Sequence, residues 1–344
     1  MADDDRRIFK RAAEVLIDPI DEYFTLEKSL EEIHGVYSEI TGITAFTDDR
    51  FKETRLTYGK AVSPTVAANC LFDLLRTKRF VQGIYSAVVH LKRKFGGEAL
   101  RILYAGSGPY AALVTPLCFL FEEDVFSCTA LDIHKESTEA LEKVVAALSL
   151  EKYFGDIKTC DAFSYRAPAR EKPHLIVSEV LQMGLRNEPQ VALTHHLVPA
   201  LRDGGVFVPK EIRLDLFHSK KTPDGRSPIV TDDGVTHMPR RDKVFLGNIL
   251  TLNAKTVNEQ LAANAYPHLR FKPLRVAVPE RRHPDDTLEI QTTLEISDGI
   301  FLTEGQSSLT VPVTQTDLRG FSDNTIFEFE YKLSDKPGTE FRVL

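Results

Sequence analysis

Cysteine is scarce in this 344-residue chain. Cys70, Cys118, Cys128 and Cys160 show no C-x-x-C spacing, so neither a zinc knuckle nor a disulfide framework is suggested, and the four read as buried thiols. No apolar run approaches the roughly 18 residues that a membrane span requires. The opening Met1-Ala2-Asp3-Asp4-Asp5 is acidic where a secretory or organellar leader would be basic, which predicts a cytoplasmic protein. Positive charge is also short, with 43 Lys and Arg against 50 Asp and Glu, and the net charge of −7 lacks the electrostatic footprint of a nucleic-acid binder. The cluster Lys92-Arg93-Lys94 then reads as a solvated face. Internal repeats and low-complexity tracts are absent. What remains, 42% hydrophobic and 27% charged, is an ordinary globular composition with enough chain for two cores.

Periodicity divides the chain into three zones. Residues 1–95 read as helical: Leu26, Leu30, Ile33, Tyr37 and Ile40 form one apolar stripe, and Ser63-Pro64 predicts a capped helix running on through Asn69 to Val81. Residues 96–209 alternate short apolar strands with helices, the signature of a parallel sheet and an α/β fold. The strands are expected at Leu100 to Ala105, Ser127 to Asp132, before Thr159, at Leu175 to Ser178 and at Gly205 to Val208. Residues 210–344 change to two-residue alternation, as in Leu288, Ile290, Leu294, Ile296 and again Phe327, Phe329, Tyr331, Leu333, which predicts an antiparallel β-rich domain. Ser219 to Asp242 reads as a long loop.

The sharpest local signal is Leu103-Tyr-Ala-Gly106-Ser-Gly108-Pro-Tyr-Ala111, read as a strand, a glycine turn and a helix. Glycines there let a ligand approach the backbone, and a helix amino terminus would offer free N–H groups. Asp132 ends the next strand, where a carboxylate meets ribose hydroxyls. Asp161 and Ala162 follow the third strand, placed to meet an adenine, although Asp161 is equally readable as the cap of its own turn. Gly106-x-Gly108-x-x-Ala111 also satisfies the looser dinucleotide fingerprint, so an NAD(P)-dependent oxidoreductase stays open. Tyr104 and Tyr110 flank the turn and fit either a pocket wall or the core.

The segment Pro173-His-Leu-Ile-Val-Ser-Glu179 reads as a fourth strand ending in a carboxylate, and Glu188 follows nine residues later. Joined by a hairpin-like loop, the two acids converge on one small cation, and a guanidinium offers the matching fork of donors. The alternatives are an ion pair between Glu179 and an arginine of the protein, and Glu188 in the first turn of the next helix. His195 and His196 are adjacent on that helix, point about 100° apart and share no ligand, so no metal site is read.

Asp73-Leu-Leu-Arg76-Thr77, the Leu103 to Gly108 turn, Asp132, and Glu179 with Glu188 stand in the same order as in the protein arginine methyltransferases, which the chain resembles over about residues 55–215. The resemblance implies an S-adenosylmethionine-dependent methyltransferase, with a Rossmann-like seven-stranded sheet, an N-terminal helical segment and a C-terminal antiparallel, barrel-like domain. It implies that Arg76 holds the cofactor carboxylate, with Gly106, Gly108, Asp132, Asp161 and Ala162 along the adenosine. Glu179 and Glu188 clamp the acceptor nitrogen, Glu179 also bordering the cofactor, and Asp73 lies near the clamp. The implied acceptor is a peptide or protein arginine or a small amine, and the implied assembly a homodimer made through an arm such as the 219–242 loop. The chain departs from the family in lacking tryptophan, and with it the late Thr-His-Trp loop, whose nearest counterpart in sequence is Gly320-Phe321-Ser322. A third reading, a non-catalytic cofactor- or partner-binding module, stays open, although the intact Arg76, Asp132, Glu179 and Glu188 argue against it.

Overall fold

The computed structural model describes residues 2–44, 53–220, 229–230, 236–237, 242–263, 269–277, 286–323 and 325–344. Helix α1 (Ala2–Ile17) opens on three aspartates that suit its positive end. Helix α2 (Tyr23–Thr41) is capped by the Glu22 carboxylate on Thr25 N at 2.7 Å and buries the predicted stripe of Leu26, Leu30, Ile33 and Tyr37. The zone expected to be helical also contains a hairpin, β1 (Thr54–Leu56) and β2 (Gly59–Ala61).

The helix predicted after Ser63 divides into two pieces. Ser63 caps α3 (Pro64–Asn69), a 3₁₀ turn spans Cys70–Phe72, and α4 (Leu74–Lys94) restarts beyond a non-helical Asp73. Side chains hold the break open: Arg76 Nη1 donates to Cys70 O at 2.8 Å and Thr77 Oγ1 to Leu71 O at 3.0 Å. These carbonyls, which a continuous helix would use itself, are thereby satisfied.

Strands β3 (Leu100–Ala105), β4 (Phe126–Asp132), β5 (Phe154–Thr159), β6 (Leu175–Ser178) and β7 (Val206–Val208) form a parallel sheet of order β5-β4-β3-β6-β7. Among the described residues this sheet has five strands, not the seven expected. Beyond β7, Pro209 has no N–H to give a ladder and Lys210 N bonds Ile296 O, so the chain leaves for a different sheet. Helix α5 (Lys135–Leu148) connects β4 to β5, burying Ala140, Leu141, Val144, Val145 and Leu148, and α6 (Gln190–Leu197) lies between β6 and β7. The helix expected after the glycine turn is missing: Ala111 sits at φ 43° and only a 3₁₀ segment, Thr115–Phe119, follows.

The remaining elements are β8 (Glu211–Ser219), β9 (Ile229–Val230), β10 (Thr236–His237), β11 (Lys243–Asn253), α7 (Ala254–Ala263), β12 (Leu274–Ala277), β13 (Thr287–Ser297), β14 (Ile300–Leu302), β15 (Val313–Asp317), β16 (Ile326–Lys332) and β17 (Gly338–Val343). One antiparallel sheet runs β11-β8-β13-β14 with β15 also on β13, and a second runs β12-β16-β17. The alternation is realised, with Leu288, Ile290, Leu294, Ile296, Phe327, Phe329 and Tyr331 all buried. Most of the 219–242 loop lies outside the described residues; β9 and β10 pair within it, and Lys220 N on Asp242 O closes its base. Helix α4 packs on β13 and β14, and one apolar core runs from α1 to β16. Among the described residues, no helix is long and apolar enough to cross a membrane.

Candidate active site

The carboxyl ends of β3, β4 and β6 open onto a cavity of about 730 Å³. Asp73, Arg76, Gly106, Gly108, Asp132, Asp161, Ala162, Glu179 and Glu188 all line it, so every site residue expected from the sequence reaches one space. Ligands in open α/β folds bind at this edge of the sheet.

The glycine turn forms one wall. Gly106 lies at φ 77°, and a β-carbon there would stand 2.5 Å from Val180 Cγ1. Gly106 N and Ser107 N both donate to Leu131 O, pinning the bend to the end of β4. Asp132 closes the arrangement: Oδ2 accepts Gly108 N at 2.9 Å and Oδ1 accepts His134 N at 2.9 Å. Two backbone amides therefore fix a buried carboxylate whose remaining lone pairs are available to hydroxyl donors. Asp161 does cap its own turn, with Oδ1 accepting Phe163 N at 2.9 Å, and it also borders the cavity. Of the two tyrosines, Tyr104 lines the cavity and its buried phenol is pushed up, staying neutral, whereas Tyr110 stacks on Tyr37 and bonds Ile43 O.

Glu179 and Arg76 form an ion pair with side chains 5% and 9% exposed, realising one of the two alternatives open for Glu179. Arg76 Nε is buried with no hydrogen-bond partner. An orphaned charged donor of this kind is costly unless a ligand oxygen completes it.

Glu188 shares the cavity, and burial pushes its carboxyl up to about 7 against partial relief from Gln182, Arg76 and Lys60. The loop between the glutamates is not a free hairpin. Gly184 N bonds Thr292 Oγ1, Tyr331 Oη bonds Leu185 O, Asn187 N bonds Pro337 O, and Lys60 N bonds Asn187 O. The hairpin β1–β2 thus bridges this loop and the β4 tip, where Thr54 Oγ1 meets His134 Nε2 at 3.1 Å.

Asp73 points to a segment that sequence reasoning missed. Its Oδ2 accepts Ser307 Oγ at 2.8 Å, Ser308 N at 2.9 Å and Ser308 Oγ at 2.7 Å, and Ser308 and Leu309 line the cavity. Gly320 to Ser322, singled out as the counterpart of the missing loop, does not border the cavity. Nothing local in Gln306-Ser-Ser-Leu marks it, because its partner lies more than 230 residues away. Cys70 and Cys160 likewise depart from expectation: they are partly exposed and line the cavity, and only Cys118 and Cys128 are buried. His195 is buried between Val191 O and Gln260 Oε1, while His196 meets Arg166.

No protein-family model matches the chain, and no curated protein matches it by sequence. A solved structure does: the Trypanosoma brucei PRMT1 enzyme–prozyme heterotetrameric complex with AdoHcy, at TM-score 0.55 and 12% identity, covering 82% of this chain and 93% of that one. The fold is similar to that of this PRMT1. Since residues 100–208, which hold the parallel sheet, make up less than half of the chain, coverage of 82% carries the PRMT likeness well beyond that sheet. Among the described residues the strand order also falls one strand short of the two complete mononucleotide-binding halves of a dinucleotide enzyme.

Proposed function

We propose that the chain is an S-adenosylmethionine-dependent N-methyltransferase whose acceptor, a guanidinium or amine, is received between Glu179 and Glu188. The convergence of Asp132, Arg76, Glu179 and Glu188 on one cavity carries this reading. The residues fit the cofactor by their chemistry: Asp132 offers acceptors to a ribose, and the orphaned Nε of Arg76 matches an amino-acid carboxylate. The missing helix after Gly108 points the same way. A pyrophosphate needs the amides and dipole of a helix amino terminus, whereas S-adenosylmethionine has no phosphate. The PRMT1 neighbour was solved with AdoHcy, which supports the same choice.

When bound, S-adenosylmethionine supplies a sulfonium methyl group for in-line transfer. The chain's own residues contribute positioning and charge. Glu188, buried and without an ion pair among the described residues, gains from a cationic acceptor, which holds it ionised, and on this reading it accepts the nitrogen's proton. Glu179 contributes through the oxygens that Arg76 leaves open. Asp73, satisfied by three hydrogen bonds, is a positioning residue that ties the Ser307–Ser308 segment to the cavity wall.

We read residues 1–95 as an N-terminal segment, 96–209 as the cofactor-binding domain and 210–344 as a C-terminal β domain, and self-association as a dimer is proposed by analogy with the PRMT1 assembly. Methyl transfer from labelled cofactor to a panel of peptides, amines and guanidino compounds tests the activity. Glu188→Gln is expected to lose turnover at least a hundredfold while still binding S-adenosylhomocysteine; turnover at the wild-type rate would refute its role.

A further inference from the structure

Arg186 lies between the two glutamates, exposed at the cavity wall. Its stem is held against two glycines, Cγ standing 3.6 Å from the position a β-carbon of Gly184 would take and 3.4 Å from that of Gly338. Its Nε donates to Met183 O at 3.3 Å. The backbone around it is just as fixed. Leu185 at φ 51° and Asn187 at φ 64° flank it in the left-handed region, and the four ties described above hold that loop to the β domain and to the hairpin. Non-glycine residues keep such angles only where the surroundings impose them.

Of the other cations of the cavity, Arg76 pairs with Glu179 and its open Nε is assigned above to the cofactor carboxylate, while Lys60 pairs with Glu53 at 2.6 Å. Among the described residues Arg186 pairs with no carboxylate, and its Nη groups are left for a ligand. The site therefore has buried acids within and one uncommitted guanidinium at its rim. A ligand complementary to both presents a cation inward and an anion outward.

We infer that the acceptor bears a carboxylate close to its reacting cationic nitrogen, and that Arg186 receives that carboxylate in a forked pair. This rests on the methyl transfer proposed above and narrows its substrate class to guanidino or amino acids. An acidic residue beside an arginine in a peptide presents the same chemistry.

Calorimetry at saturating S-adenosylhomocysteine separates these cases. L-Arginine and agmatine differ by the carboxylate alone, and a short arginine peptide with an acidic neighbour is compared with its amide counterpart. In an acidic cavity with no role for Arg186, agmatine, the more positive ligand, binds more tightly. The expected result is the reverse, L-arginine ahead by about fivefold, a modest factor because Arg186 is exposed. In Arg186→Gln, with melting temperature as the check that it folds, the preference disappears or inverts. An advantage seen with the acidic peptide alone, and lost in the same variant, upholds the carboxylate pairing and moves its source to a peptide.

Three results overturn the inference: no carboxylate advantage in either pair, an advantage that survives Arg186→Gln, or no acceptor binding while S-adenosylhomocysteine binds. Failure of S-adenosylhomocysteine itself to bind is a separate reading, and it removes the methyltransferase proposal on which this one stands.

Discussion

Glu188 carries an electrostatic cost of burial, and that cost has a sign that pH exposes. Its carboxyl sits at about 7 in the folded chain against 4.5 when solvated. The folded state therefore binds the proton more tightly than the unfolded state does. Stability associated with this group is complete below pH 4.5, falls as pH rises toward 7, and is lowest above it. At roughly 1.4 kcal/mol per pH unit, the loss reaches about 3 kcal/mol by pH 8 as an upper figure. Glu188→Gln removes the charge and with it the decline, so its melting temperature relative to wild type should rise between pH 5 and pH 8. A difference that is flat with pH would show that Glu188 is not held protonated. On the proposed mechanism kcat/KM for the acceptor is expected to climb through about pH 7 in a pH–rate profile, because kcat/KM reports the free enzyme.

Among the elements, the glycine turn is the one whose geometry is least forgiving. Gly106→Ala brings a methyl group to 2.5 Å from Val180 Cγ1 at φ 77°, whereas Gly108→Ala meets only Ala67 Cβ at 3.4 Å at φ 63°. Both pay for a left-handed backbone, about 1 kcal/mol each, and only the first adds a clash. Chemical denaturation should find Gly106→Ala the more destabilising by about 1–3 kcal/mol, and equal losses would contradict the packing described. These elements also show what the sequence could reveal. Short, mostly apolar runs announce β3, β4 and β6, β6 being buried along its whole length. The break at Asp73 has no glycine or proline to mark it and depends on Arg76 and Thr77 turning back onto carbonyls. The absent helix after Gly108 had a signal in Pro109 and Pro116, but the fingerprint in front of it suggested a helix start.

At the scale of the molecule, the site is an assembly of distant segments. The sheet tips bring Asp132 and Glu179, α4 brings Arg76, the β1–β2 hairpin brings Lys60, and the β domain brings Ser308 and Leu309. Order along the chain was sufficient to read the sheet tips and α4, since each contribution follows a strand or helix with a clear pattern. The last two were illegible, because side-chain contacts across more than a hundred residues leave no periodicity. The expected seven-stranded sheet likewise gave way to five described strands once Lys210 paired with Ile296 instead of extending the parallel ladder. Whether this assembled cavity takes a phosphate-free adenosyl cofactor on Asp132 and Arg76, as proposed, is decided by titration calorimetry of the wild-type chain and Asp132→Ala with S-adenosylhomocysteine, NAD and NADP. S-adenosylhomocysteine alone is expected to bind, with affinity at least tenfold weaker in the variant; binding of NAD or NADP in its place would refute the proposal.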